Sequence, residues 1–160
     1  MSGLQDVTGF RGEKIVELCL TDYSAFPKPL FRPGFLSDKW PAIDFYVELT
    51  GVRGSRPYFF IQVKTTGAAL RNQATEIRIL AKKNDVLRFL QIPGPTYILG
   101  VHEPSRRVFI RSVHNGIEPR AVTRIPLTHE LTSKNLQNLY NEVRDYWSTT
   151  VQKPVFSVFA

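Results

Sequence analysis

Two consecutive segments near the middle of the chain alternate between apolar and polar positions. In PAIDFYVELT, Ile43, Phe45, Val47 and Leu49 fall on one side, and Asp44, Tyr46 and Glu48 on the other. In YFFIQVKTT, Phe59, Ile61 and Val63 share one face while Tyr58, Phe60, Gln62 and Lys64 share the opposite face. Gly51–Pro57 between them carries the glycines and proline of a turn. A hairpin centred on Gly54 sets Asp44 across from Lys64, Tyr46 across from Gln62 and Glu48 across from Phe60. A carboxylate, an amide and an ammonium then converge on one sheet face.

Helical spacing marks three other segments. From about Phe10 to Tyr23, Ile15, Leu18 and Cys19 with Val16 and Leu20 form an apolar stripe that Asp6 or Thr8 could cap. Ala81–Gln91 suits a helix with Val86, Leu87 and Leu90 inward, stopped by Pro93 and Gly94. Ser133–Trp147 repeats Leu136, Leu139, Tyr140, Val143 and Trp147. Glu76–Leu80 reads as a short strand, and Thr96–His102 with Arg107–Val113 as a strand pair. Ser24–Pro41 holds four prolines and many aromatics, which predicts an ordered loop packed on the core. Asn115–Thr128 reads as irregular, and the apolar tail Pro154–Ala160 as an extra strand or a self-association surface. With no repeat and no linker, the 160 residues are expected to form one domain, its core at about 5–115 and its last helix at about 133–147.

Charge changes this picture. The 21 Lys and Arg exceed the 14 Asp and Glu to give net +7, which favours an anionic partner, nucleic acid above all. No apolar run has the length of a membrane span, and MSGLQDVTGF lacks the basic and apolar regions of a signal peptide, so no membrane association and a cytoplasmic location are expected. The single cysteine, Cys19, rules out an intramolecular disulfide and a cysteine-rich zinc site, and its apolar neighbours make it a buried structural thiol. The chain has no GxxxxGK[ST], no GxGxxG and no HExxH, and His102, His114 and His129 have no shared-metal spacing.

What remains is a helix with Glu13, a strand with Asp44, a strand with Gln62, Val63 and Lys64, then a helix and a strand. This order resembles the PD-(D/E)xK superfamily of restriction-endonuclease-like folds. It is more closely similar to a family of uncharacterised bacterial nuclease-like domains sharing a GxxGE helix start, an I-D before a strand and a Q-[IV]-K-[ST] strand. The matching residues are Gly9 to Glu13, Ile43-Asp44 and Gln62-Val63-Lys64-Thr65, and the likeness covers roughly residues 5 to 115. Two positions depart from the pattern. The superfamily's commoner glutamate is Gln62, and the segment Asp38 to Asp44 lacks the glycine of the frequent D-x-G-x-D.

The resemblance implies an α/β fold leaning to α+β, a mixed central sheet flanked by helices, and a divalent-metal-dependent endonuclease acting on DNA. It implies Mg²⁺ or Mn²⁺ held by Asp44, the Gln62 side-chain oxygen and the Val63 carbonyl, hard oxygen donors that suit such ions. Lys64 would orient the attacking water or the phosphate, and Glu13 would serve as an accessory acid. Arg71, Lys82 and Lys83 are candidate backbone contacts. Many nucleases of this fold cut both strands as dimers, so a homodimer is compatible with the resemblance. Two other classes stay open: a catalytically inactive nucleic-acid-binding or regulatory module on the same fold, and a protein-interaction subunit using the apolar tail. Asp44 and Lys64 alone would also fit an exposed cross-strand ion pair.

Overall fold

A computed structural model describes residues 2–37, 40–114, 116, 118–151 and 153–159. In chain order the elements are α1 (Ser2–Thr21), β1 (Phe31–Phe35), β2 (Phe45–Leu49), β3 (Tyr58–Thr66), β4 (Glu76–Ala81), α2 (Lys83–Leu90), β5 (Thr96–His102), β6 (Arg107–Val113), β7 (Val122–Pro126) and α3 (Ser133–Thr149). Five strands form a mixed sheet in the order β1-β2-β3-β5-β6, and β4 and β7 form a separate antiparallel ribbon. The fold is therefore mixed α/β, leaning to α+β. β3 is its pivot, antiparallel to β2 and parallel to β5.

Two apolar layers cover the sheet. On one face Phe45, Val47, Phe59 and Ile61 pack with Val16 and Leu20 of α1 and with Leu136, Leu139 and Val143 of α3. On the other, Ile98 and Phe109 pack with Ile77, Ile79 and Ile125 of the ribbon and with Val86 and Phe89 of α2. β5 lies between both layers, and every one of its seven residues is buried. Gly100 in that strand leaves room for the ribbon, since a Cβ there would come within 2.6 Å of Ile77 and 3.0 Å of Ile125. The described helices include none long and apolar enough to cross a membrane.

Several sequence expectations are corrected. α1 starts eight residues before Phe10, and Asp6 and Thr8 lie within it rather than capping it. Leu18 is not part of its buried stripe but 71% exposed. In α2 Val86 and Phe89 are buried and Leu90 packs against the same cluster, as expected for Val86 and Leu90, while Leu87 faces out. The proline-rich segment contains β1, an edge strand, where Pro33 removes a ladder donor at little cost. The supposedly irregular stretch after β6 contains β7, whose pairing with the distant β4 cannot be read from local pattern. Asp38, Lys39, Asn115, Ile117 and Ala160 lie outside the described residues. Pro154–Phe159 forms no strand, and Val155, Phe156, Val158 and Phe159 are each at least 90% exposed.

Candidate active site

The central hairpin forms, with a register two residues from the expected one. Phe45 pairs with Ile61, Tyr46 with Phe60 and Glu48 with Tyr58. Because the shift is even, every side chain keeps its face. The cross-strand partners change, so Asp44 is not opposite Lys64, and the pairings expected for Tyr46 and Glu48 also move. The turn is shifted rather than lengthened: Leu49 N–H donates to Pro57 O and closes it off-centre from Gly54.

Asp44 sits where the β2–β3 ladder runs out. Its N–H donates to Ile61 O at 2.8 Å and its carbonyl accepts from Leu36 N–H at 2.9 Å. Its Oδ2 accepts the Val63 N–H at 2.5 Å. On the β2 side, where the ladder has ended, the carboxylate thus takes the place of a strand partner for β3, whose other edge stays paired with β5. Two neighbouring residues, Ser37 and Ala42, have φ of 59° and 66°, the left-handed region that non-glycine residues seldom adopt. Both line the same cavity as Asp44, so the turn leading into the carboxylate is held under local backbone strain.

That cavity, of about 300 Å³, is lined by Ser37, Trp40, Pro41, Ala42, Asp44, Gln62, Val63, Lys64 and Asp85. Three of the expected site residues and the Val63 backbone therefore meet in one opening. Gln62 is 4% exposed, and its Oε1 is buried with no hydrogen-bond partner among the described residues. A buried amide oxygen left unpaired costs free energy, which is the kind of debt a cation or a substrate donor removes. Lys64 lies with its ammonium 3.7 Å from Asp85 Oδ2, and Arg88 approaches the other oxygen of Asp85 at 3.9 Å.

Asp85 was not singled out from the sequence. It stands in the first turn of α2, where an acid reads as compensation for the helix dipole. Only the packing of α2 beneath the sheet brings it to Lys64. The signal that could have found it is its place four residues after β4, at the start of the helix that returns the chain to β5.

Glu13 approaches from the other side of β3. It lines a separate opening of about 540 Å³ with Thr8, Gly9, Val63, Lys64, Thr65 and Leu80. Val63 and Lys64 border both openings, so Glu13 neighbours the site without sharing the cavity of Asp44 and Gln62. Gly12 sets this approach: a Cβ there would lie 1.9 Å from Thr65 Oγ1. Among the described residues no three His, Cys, Asp or Glu side chains are grouped as a metal cage. A cation here would have to draw on the Gln62 amide and backbone oxygens beside Asp44. That donor set is all oxygen, so it fits Mg²⁺ or Mn²⁺ and excludes a thiolate or imidazole site.

The candidate backbone-binding cations lie apart from the cavity. Lys82 and Lys83 are exposed at the start of α2, and the Lys82 carbonyl accepts from Asp85 and Val86 N–H. Arg71 is exposed in a cleft of about 520 Å³ that Arg78 also lines. Cys19 is the structural thiol expected. Its Sγ donates to Leu131 O at 3.8 Å, and burial, reinforced by Asp22 and Glu130, pushes its pKa up to about 12. No protein-family model matches the chain, and no curated protein is significantly similar to it.

Proposed function

We propose that the chain is a divalent-metal-dependent phosphodiesterase acting on DNA, built on the restriction-endonuclease-like plan. The observation that carries this reading is the meeting of Asp44, Gln62 and Lys64 in one open cavity where β2 stops pairing with β3, with the Gln62 Oε1 buried and without a hydrogen-bond partner among the described residues. A chance sheet face would leave an amide at that position solvated or bonded.

In this reading Asp44, Gln62 Oε1 and the Val63 carbonyl hold the ion. When bound, a hard divalent cation lowers the pKa of a coordinated water and offsets charge on the phosphate. Asp44 also fixes β3 through the Val63 N–H, which keeps Gln62 and Lys64 in place. Lys64 projects into the same cavity and orients the phosphate or the attacking water. Asp85, across from it, holds the ammonium until substrate arrives. Glu13 acts from the neighbouring opening as an accessory acid.

The neutral Gln62 and the absence of a three-acid group among the described residues favour a second reading, a catalytically inactive DNA-binding module on the same fold. Incubation of supercoiled and single-stranded DNA with Mg²⁺ or Mn²⁺ separates the two. Metal-dependent cutting supports the hydrolase. Salt-sensitive binding without cutting, and without dependence on the ion, supports the module.

A further inference from the structure

A run of aromatic side chains leads away from the site. Tyr58 and Phe60 stand on the face of β3 that carries Gln62 and Lys64, and Tyr46 lies on the same face of β2, paired with Phe60. Ring centroids are 5.4 Å apart for Tyr46–Tyr58, and 5.7 Å for both Tyr46–Phe60 and Tyr58–Phe60. Trp147 at the end of α3 continues the run, 4.5 Å from Tyr58 and tilted by 36°, and Tyr146 follows 5.2 Å beyond. From Tyr58 to Lys64 the strand advances about 20 Å.

Core packing accounts for only part of this strip: Trp147 rests against the cluster that α1 and α3 cover. No residue of β1 or β2 belongs to the layer under the ribbon, which draws in Phe60 alone of these rings. Tyr46, Tyr58 and Trp147 are only partly buried, and Tyr146 is 41% exposed. Polar tips fix the rings: Tyr46 Oη donates to Glu48 at 3.0 Å, and Trp147 Nε1 donates to Tyr58 O at 2.7 Å. Cations border the strip. Arg53 and Arg56 are exposed on the hairpin tip and outside every ion pair among the described residues, while Arg32 reaches Glu48 only at 4.0 Å.

We propose that this strip is a stacking track for single-stranded DNA, which lays its bases on Trp147, Tyr58 and Tyr46 and delivers its backbone to Gln62 and Lys64. Successive flat rings bordered by cations are what an unpaired strand needs, since any base offers a π face and every nucleotide a phosphate. A duplex keeps its bases stacked on one another and gains nothing from such rings. The delivery step rests on the proposed hydrolytic site; the binding does not.

Fluorescence anisotropy in EDTA with a labelled single-stranded oligonucleotide and its blunt duplex tests the binding on the full chain. Wild type is expected to prefer the single strand. Tyr46→Leu and Tyr58→Leu should each weaken that binding about fivefold or more, while Tyr46→Phe, which keeps the ring, should bind like wild type. Thermal melting verifies folding, and exposed Tyr146→Leu serves if Tyr58→Leu unfolds. Leucine variants that bind like wild type, or a preference for duplex, would overturn the proposal. If the expected pattern holds but wild type cuts no DNA, the hydrolase reading fails and the track stands. Cutting that is insensitive to the tyrosines has the opposite meaning.

Discussion

Replacing Gly12 by alanine puts a methyl group where Thr65 already stands. The new Cβ would lie 1.9 Å from Thr65 Oγ1, 3.1 Å from its Cβ and 3.3 Å from Cγ2. Turning the threonine about χ1 relieves the contact only in part, because its Cβ stays 3.1 Å from the new methyl whatever the rotamer. α1 must still give way against β3 in a layer packed as densely as a crystal, loosening the contacts of Val16 and Leu20. Overpacking of this kind costs about 1–3 kcal/mol, and alanine's better helix propensity returns about 1 kcal/mol. The severity of the clash places the cost at the upper end, so the net loss is about 1–2 kcal/mol. Such a loss lowers the melting temperature of a chain this size by about 2–8 °C, or the urea midpoint at unchanged m. Thr65→Ala removes both the hydroxyl and Cγ2, so the double variant should recover most of the loss, with a coupling of about 1 kcal/mol. Glu13 follows Gly12 and moves with it, so cleavage should fall in Gly12→Ala and return in the double variant. A Gly12→Ala protein as stable as wild type would refute this packing of α1 on β3.

Three further outcomes follow from other parts of the structure. Gln62→Glu places a carboxylate at a 4% exposed position, so without metal it should destabilise by about 1–3 kcal/mol. Mn²⁺ should then raise its melting temperature more than that of wild type; equal metal responses would count against Gln62 as a ligand. Asp85→Asn removes the acid 3.7 Å from the Lys64 ammonium; it should alter cleavage while changing stability by less than about 1 kcal/mol, and unchanged kinetics would place Lys64 outside the reaction. Burial raises Cys19 from 9.0 to about 12, and burial with the Glu48 hydrogen bond raises Tyr46 from 10.0 to about 12. Tyr97, buried and bonded to Glu142, moves in the same direction. The unfolded chain loses these protons first, so stability should be level below about pH 9 and fall as pH rises toward 12; melting temperatures constant from pH 8 to 11 would contradict this.

Local pattern revealed what is local. The period-two alternation of Phe45, Val47, Phe59 and Ile61 gave the central strands and their buried face, and the spacing of Leu136, Leu139 and Val143 gave α3. Faces survived a wrong register because the error was even, so Asp44, Gln62 and Lys64 were brought together although their cross-strand pairing was not as expected. Long-range contacts were beyond the pattern. The β4–β7 pairing joins residues between 41 (Ala81 with Val122) and 50 (Glu76 with Pro126) positions apart, and Asp85 reaches the site only through the packing of α2. Gly12 was visible as part of a motif, but its reason, the contact with Thr65, exists only once α1 lies on β3. The exposure of Leu18 likewise depends on which arc of α1 the sheet covers.

The central claim is that Asp44, Gln62 and Lys64 form a metal-dependent hydrolytic centre. The most direct measurement is nicking of supercoiled plasmid in Mg²⁺ or Mn²⁺ by wild type beside Asp44→Ala and Lys64→Ala, with EDTA as control and melting curves to verify folding. Wild type is expected to nick the plasmid, EDTA to abolish the nicking, and both variants to nick at least a hundredfold less. Equal cutting by all three proteins, or no cutting by a wild type that still binds DNA, would contradict the claim.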